Sequence, residues 1–208
     1  MMPADLRPDF DWLPPAVPVT TDTETAAVAW IAPYNQAVHL LRTRDWLVHI
    51  TPDATLEARL AAVTHDIERM FPGGPTLSFS RAAWDDPAYL YPHQLRSAEF
   101  VGAWLTNEAP AADVDIAEVR RIVGLHEVGG LGLADDVQAA DSLSFLETLA
   151  GLAGDWVRTG ACTREVAIAK LTYSVDRIRI DRARKPAHEL LTWAIDQIPA
   201  ARDELVRA

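Results

Sequence analysis

Apolar residues recur along this chain at the three- and four-residue spacing of amphipathic helices. The clearest stripe follows Thr51 and Pro52 and consists of Leu56, Leu60, Val63, Ile67 and Met70. The sustained alternation of apolar and polar residues that is typical of a half-buried sheet does not occur. The pattern therefore predicts a single all-α domain built as a helical bundle.

Proline, glycine and capping residues divide the pattern into separate helices. Pro33 ends the first helix, because proline lacks an N–H and restricts the residue before it. Thr51 caps the third, with Pro52 at its first position. The predicted helices cover 24–31, 35–49, a third from 52 to about 70, 93–107, 115–127, 135–157, 163–183 and 186–206.

Two segments fall outside the helical pattern. Residues 1–21 hold five of the fourteen prolines and are predicted to form an extended arm on a domain of residues 22–208. Residues 72–92 are predicted to form a long irregular loop, and such loops usually carry function. The aromatic residues of this loop are candidates for stacking against a ligand: Trp84, Tyr89 and Tyr91.

Composition narrows the possible functions. The 30 acidic and 19 basic residues give a formal charge of −11, so a nucleic acid polymer or an anionic membrane is a poor candidate partner. The single cysteine, Cys162, excludes an internal disulfide framework and a cysteine-rich zinc module. The sequence shows neither a secretory signal nor an apolar run of membrane-spanning length, so we expect a cytoplasmic protein.

Four of the six histidines, together with two aspartates, occupy inward-facing positions on different predicted helices. His65 and Asp66 are adjacent in the middle of the third helix, where a buried carboxylate is costly unless it is paired or binds a metal. Converging imidazoles and carboxylates are typical ligands of zinc, iron or manganese, although each histidine could instead be hydrogen-bonded in the core. His49 and His188 fall outside this order and are expected to be structural or exposed. The remaining members of the set are His39, His93, His126 and Asp141.

The order of these residues resembles that of the HD superfamily of metal-dependent phosphohydrolases, over roughly residues 35–185. The segments that carry the resemblance are VHLLRTRDWL, AAVTHDIERMF, PHQLRSAEFVGAWL, IVGLHEVGG and VQAADSLSFLE. The resemblance implies an all-α fold of the HD type with one or two divalent transition-metal ions, which could be Fe, Mn, Zn, Co or Ni. It implies that Asp66 bridges two metals, in a ligand set completed by His39, His65, His93, His126 and Asp141.

The resemblance also implies an activity, the hydrolysis of a small phosphomonoester, phosphoanhydride or nucleotide-like substrate by metal-activated water. Asp66, Arg42 and Arg69 are the candidate catalytic residues. Arg42 lies one turn from His39, and its alternative role is an ion pair between helices. Arg69 could line the pocket or be solvated. The candidate substrate-binding cations are Arg42, Lys170 and Arg177, of which the last two are seven residues apart on one predicted helix.

Two other functions remain open. A site of the same residues that holds two iron ions would match the HD-type di-iron oxygenases, since imidazole and carboxylate bind iron as well as manganese or zinc. The third hypothesis is a non-catalytic module that holds a metal or a nucleotide. The HD-GYP branch of the family has two adjacent histidines where this chain has His126 and Glu127, and the chain lacks a GYP motif. A homodimer is possible, although no feature defines an interface.

Overall fold

A computed structural model describes residues 7–76 and 84–200, and this part of the chain is all-helical, as predicted. None of its helices has the length and apolar character needed to cross a membrane. A 3₁₀ helix, Ile67–Met70, follows the third α-helix. The α-helices are α1 (Asp22–Ile31), α2 (Ala37–Ile50), α3 (Leu56–Thr64), α4 (Pro87–Asn107), α5 (Ile116–Val123), α6 (Leu133–Thr148), α7 (Ala150–Thr159), α8 (Arg164–Asp176) and α9 (Asp181–Asp196).

The core is built around α2 and α6, which pack against each other along their length. Helix α3 lies against α2, α5 and α6, and α6 also contacts α8 and α9. Large apolar side chains at the centre are fully buried, and each removes apolar surface from water. They include Leu40, Trp46, Leu47, Leu60, Leu143 and Leu146.

Helix α3 is shorter than the sequence pattern predicts. Thr55, and not Thr51, caps it by accepting a hydrogen bond from the N–H of Ala58, and the helix ends at Thr64. His65 and Asp66 therefore lie in the junction before the 3₁₀ helix, and their predicted position in mid-helix is wrong. The apolar stripe hides this break, because a 3₁₀ turn also places residues three apart on one face.

Helix α4 begins six residues before its predicted start. Asp86 caps it with a side-chain hydrogen bond from Ala88, and Pro87 occupies its first position. Tyr89 and Tyr91 therefore lie on this helix and not in a loop, and His93 lies inside it. Pro92 lies inside the helix. Residues 77–83 of the predicted loop lie outside the described residues.

Several other predicted helix ends shift by a few residues. The predicted helix 135–157 is two helices that meet at Leu149, and the predicted helix 115–127 ends at Val123. The last two predicted helices, 163–183 and 186–206, are separated at residues 177–180. Helix α8 therefore ends earlier, and α9 begins earlier, than expected. Residues 201–206 of the last predicted helix lie outside the described part of the chain.

Residues 7–20 contain no helix, and three charged side chains of α2, Arg42, Arg44 and Asp45, bind them. Arg44 donates hydrogen bonds to the carbonyls of Val17 and Pro18, at 2.9 and 3.0 Å. Asp45 accepts one from the N–H of Val17 at 2.9 Å. Residues 1–6 of the predicted arm lie outside the described residues.

Candidate metal centre

The four histidines that the sequence singled out form a continuous row of buried imidazole rings. Ring centroids are 5.3 Å apart between His39 and His65, 4.9 Å between His65 and His126, and 5.2 Å between His126 and His93. The rings come from α2, from the junction after α3, from the segment after α5 and from α4. Four separate segments therefore bring imidazoles to one place.

Side chains on neighbouring elements fix the tautomers of two of these histidines. Ser144 donates its hydroxyl proton to the carbonyl of His39 at 2.7 Å, so its oxygen accepts at 2.9 Å from the Nδ1–H of the same histidine. The buried carboxylate of Glu68 accepts from His93 Nδ1 at 2.9 Å. An acceptor at Nδ1 favours the neutral tautomer with its proton there, so Nε2 is the atom that would bind a metal. His93 Nε2 also lies 3.3 Å from Arg69 Nη2.

The other two histidines donate Nδ1–H to the end of the helix that precedes them. His65 Nδ1 lies 2.9 Å from the carbonyl of Ala62, and His126 Nδ1 lies 2.7 Å from that of Val123. The last carbonyls of a helix lack partners within it, so each imidazole satisfies one of them. This hydrogen bond explains why each of the two histidines lies just beyond a helix end. Their Nε2 atoms also face the centre.

Asp141, on α6, divides its two oxygens between histidines and an arginine. Oδ1 lies 3.1 Å from His39 Nε2 and 3.3 Å from His65 Nε2. Oδ2 accepts a hydrogen bond from the guanidinium of Arg177. The arginine therefore orients the carboxylate and leaves one oxygen for the centre.

Asp66 is arranged in the same way at the middle of the row. Its Oδ1 lies 2.8 Å from His93 Nε2 and 3.6 Å from His126 Nε2, and Arg69 Nε binds its Oδ2 at 2.9 Å. Oδ1 is also 4.0 Å from His65 Nε2. This oxygen has three imidazoles around it, which is the position expected of a bridging ligand.

Glu127 is a further member of the cluster that the sequence analysis did not select. Its Oε1 lies 3.7 Å from His93 Nε2 and 3.9 Å from His126 Nε2, and its Oε2 accepts from Arg177. Its position immediately after His126 was the available signal. The centre thus contains four imidazoles and three carboxylates.

The donor atoms fit one or two metal ions. Three overlapping sets each bring their ligand atoms within 4.8 Å of one another: His39, His65 and Asp141; His65, Asp66 and His126; and His93, His126 and Glu127. The buried Nε2 atoms of His65 and His126 have no hydrogen-bond partner. Both nitrogens face carboxylate oxygens, of Asp141 at 3.3 Å and of Asp66 at 3.6 Å, and a cation between these atoms would be attracted by nitrogen and oxygen alike.

The electrostatics of the cluster also favour a bound cation. Burial alone would raise the pKa of Asp66, but Arg69 and His93 outweigh it and hold that pKa well below its usual value. Burial would lower the pKa of His65, yet Asp141 raises it to about 9. Burial lowers the pKa of His126. The carboxylates thus stay ionised, and Asp141 attracts positive charge to His65 Nε2.

A cavity of about 120 Å³ lies beside these ligands, and three of the proposed cationic residues line it: Arg69, Lys170 and Arg177. Arg69 and Arg177 already bind ligand carboxylates. The ammonium of Lys170 makes no hydrogen bond or ion pair within the described residues, and it lies 5.4 Å from the ring centre of Phe145 and 5.2 Å from that of Tyr173. Burial lowers the pKa of Lys170 to about 8.

Arg42 is not part of the site, which corrects the catalytic and substrate-binding roles expected for it. Its guanidinium binds Glu147 at 2.8 and 3.1 Å and Asp45 at 2.9 Å. A further hydrogen bond of 3.0 Å goes to the carbonyl of Pro14. Helical spacing placed Arg42 one turn from His39, but its side chain meets Glu147 of α6 and forms the ion pair that was the alternative.

The aromatic candidates and the remaining histidines occupy different environments. Tyr89 lines the cavity and stacks on His93, with ring centroids 5.7 Å apart. Trp84 is buried, and Tyr91 is half exposed. The last two histidines, His49 and His188, are exposed.

The chain matches no family model, and neither a curated protein nor a solved structure shows significant similarity to it.

Proposed function

We propose that the chain is a metal-dependent phosphohydrolase of the HD type that acts on a small phosphate ester or anhydride. The observation that carries the proposal is the convergence of four imidazole Nε2 atoms and three carboxylates beside a cavity with three cationic side chains. The order of the ligands along the chain also supports it, because it resembles that of the HD superfamily.

Charge balance favours a phosphate ligand in this cavity. The carboxylates of Asp66, Asp141 and Glu127 are offset by the three cationic side chains that line the cavity, Arg69, Lys170 and Arg177. Divalent metal ions would therefore leave the site positive, and a phosphate dianion would offset part of that charge. When bound, the metal ions would activate a water molecule and neutralise charge on the phosphoryl oxygens.

The chain's own residues divide the remaining tasks. Arg69 and Arg177 fix the ligand carboxylates by binding the oxygen that faces away from the histidines. Asp66 stays ionised because its pKa is held low, which suits a ligand better than a proton carrier. Lys170, which has no carboxylate within ion-pair distance among the described residues, is the side chain available to bind phosphoryl oxygens.

Turnover of small phosphate esters and anhydrides by metal-loaded protein tests this proposal. Lys170→Met should raise KM about tenfold to a hundredfold, the loss expected when a charged hydrogen bond is removed. The chain offers a matched control in Lys185→Met, because Lys185 is its other lysine and is exposed on α9. Lys185→Met should leave KM unchanged.

Two results would contradict the proposal. The first is a metal-loaded wild-type protein that hydrolyses no phosphate ester or anhydride. The second is oxygen-dependent turnover by the iron-loaded protein, which would identify the di-iron oxygenase alternative instead.

A further inference from the structure

The cavity beside the metal centre has an apolar wall that the hydrolysis of a phosphate group does not require. This wall is defined by four side chains from α6, α7 and the junction between them: Phe145, Leu149, Leu152 and Trp156. Phe145 and Leu152 are only partly buried. Apolar surface left accessible in a cavity favours a ligand that covers it with apolar groups.

The wall continues directly from a metal-ligand position. Asp141 and Phe145 are four residues apart on α6, so both side chains lie on the same face of that helix. Leu149 at the junction, and Leu152 and Trp156 one turn apart on α7, line the same cavity as Asp141 and Phe145. The apolar wall is therefore continuous with the candidate ligands.

Lys170 stands where the polar and apolar parts of the cavity meet. It lies on α8, and its ammonium is 5.4 Å from the ring centre of Phe145, the first residue of the apolar wall. Ser174 and Arg177 follow it at spacings of four and three, and Arg177 binds Asp141. A ligand with its phosphate at the metal centre and at Lys170 would have its organic group against the wall.

The size of the cavity limits that organic group. Its volume of about 120 Å³ is well below the roughly 300–1,000 Å³ of pockets that enclose drug-sized ligands. A second, more open concavity of about 630 Å³ also has Glu127 and Arg177 in its lining. A nucleoside would need that second space, whereas a group of a few carbons fits the first.

We infer that the substrate is a phosphomonoester of a small, largely apolar alcohol, held with its carbon group against the wall of Phe145, Leu149, Leu152 and Trp156. The inference rests on the proposed function and narrows it, because it favours small apolar esters over nucleotides and anhydrides. Leu152, half-buried on α7, is the specificity-determining position that is easiest to alter.

Binding of n-alkylphosphonates to the protein reconstituted with Mn²⁺, measured by calorimetry, tests the inference without requiring turnover. The probes are methyl-, ethyl-, propyl- and butylphosphonate, with AMP as the nucleotide. Affinity should rise roughly threefold to fourfold with each added methylene in the wild type. Leu152→Ser should flatten this rise, and Leu152→Phe should keep methylphosphonate binding but weaken binding of butylphosphonate by filling the cavity.

Leu95→Ser is the matched control, because Leu95 is 55 % exposed on the outer face of α4 and should leave the series unchanged. Equal affinity for all chain lengths in the wild type, or tighter binding of AMP than of butylphosphonate, would overturn the inference and leave the proposed function intact. Failure of the Mn²⁺-loaded protein to bind even methylphosphonate would overturn both.

Discussion

Each histidine of the centre commits its Nδ1 proton to an acceptor outside the row of rings. Two acceptors are helix-end carbonyls, one is the Ser144 hydroxyl and one is the Glu68 carboxylate. Partners of this kind fix the ring orientation of metal-binding histidines and raise their basicity. The centre therefore depends on residues that would not themselves touch a metal.

Ser144→Ala should weaken metal binding without unfolding the chain. It removes the acceptor of His39 Nδ1–H, and loss of such a partner typically costs about tenfold to a hundredfold in metal affinity. Competition with a coloured chelator measures the change. Thr148→Ala, which removes a hydroxyl one turn along the same helix, is the control and should keep wild-type affinity. Equal affinities in wild type and Ser144→Ala would contradict the role of this hydrogen bond.

The sequence could predict individual site residues only in part. His39, His65, Asp66, His93, His126 and Asp141 do come together, because helical position and ordered spacing point to one buried centre. Glu127 was not predicted, because a carboxylate that follows a histidine in the sequence is equally compatible with a solvent-exposed position. Arg42 was wrongly placed because spacing defines a helix face but not the neighbour that the face meets.

At the scale of elements, a buried ion pair holds the central helices α2 and α6 together. Glu147 of α6 accepts hydrogen bonds from Arg42 and, at 2.6 Å, from Trp46 Nε1, and both donors lie on α2. His39 and Asp141 lie on the same two helices. The pair therefore helps to align two ligand-bearing elements.

Arg42→Gln should destabilise the fold and leave the candidate metal ligands in place. Removing one partner of a buried pair leaves Glu147 and Asp45 without their guanidinium, which typically costs about 3–5 kcal/mol. Urea unfolding measures the loss. Arg158→Gln is the control, since Arg158 and Asp155 form an ion pair at the surface, where such pairs contribute about 1 kcal/mol or less. A stable Arg42→Gln protein with impaired turnover would restore the catalytic role that the structure does not support.

Helix existence could be predicted more reliably than helix ends. Periodicity indicated every major helix, but the ends of α3 and α5 were placed too late, and those ends carry His65 and His126. In both cases the imidazole binds a carbonyl at the end of the helix. The spacing of apolar residues gives no sign of such a side-chain hydrogen bond. The junction between α6 and α7 was missed because Leu149 continues the apolar spacing.

At the scale of the whole molecule, the centre joins parts of the chain that are distant in sequence. Residues from 39 to 141 supply its ligand groups, and Arg177 adds a contact from the C-cap position that follows α8. The sequence gives the order of these groups along the chain. It does not give the distances between them in space, which depend on how α2, α4 and α6 pack. The formal charge of −11 also gives no sign of a site in which three cationic side chains offset three carboxylates.

Metal content per chain, from elemental analysis of protein purified without added chelator, decides whether the buried cluster binds metal. We expect about two transition-metal ions per wild-type chain, shared among the seven ligand groups. Asp66→Ala should lose them, because Asp66 Oδ1 is surrounded by three imidazoles. His188→Ala, at an exposed histidine, should keep both. A folded wild-type chain that holds no metal, even after reconstitution with Fe, Mn, Zn, Co or Ni, would contradict the account.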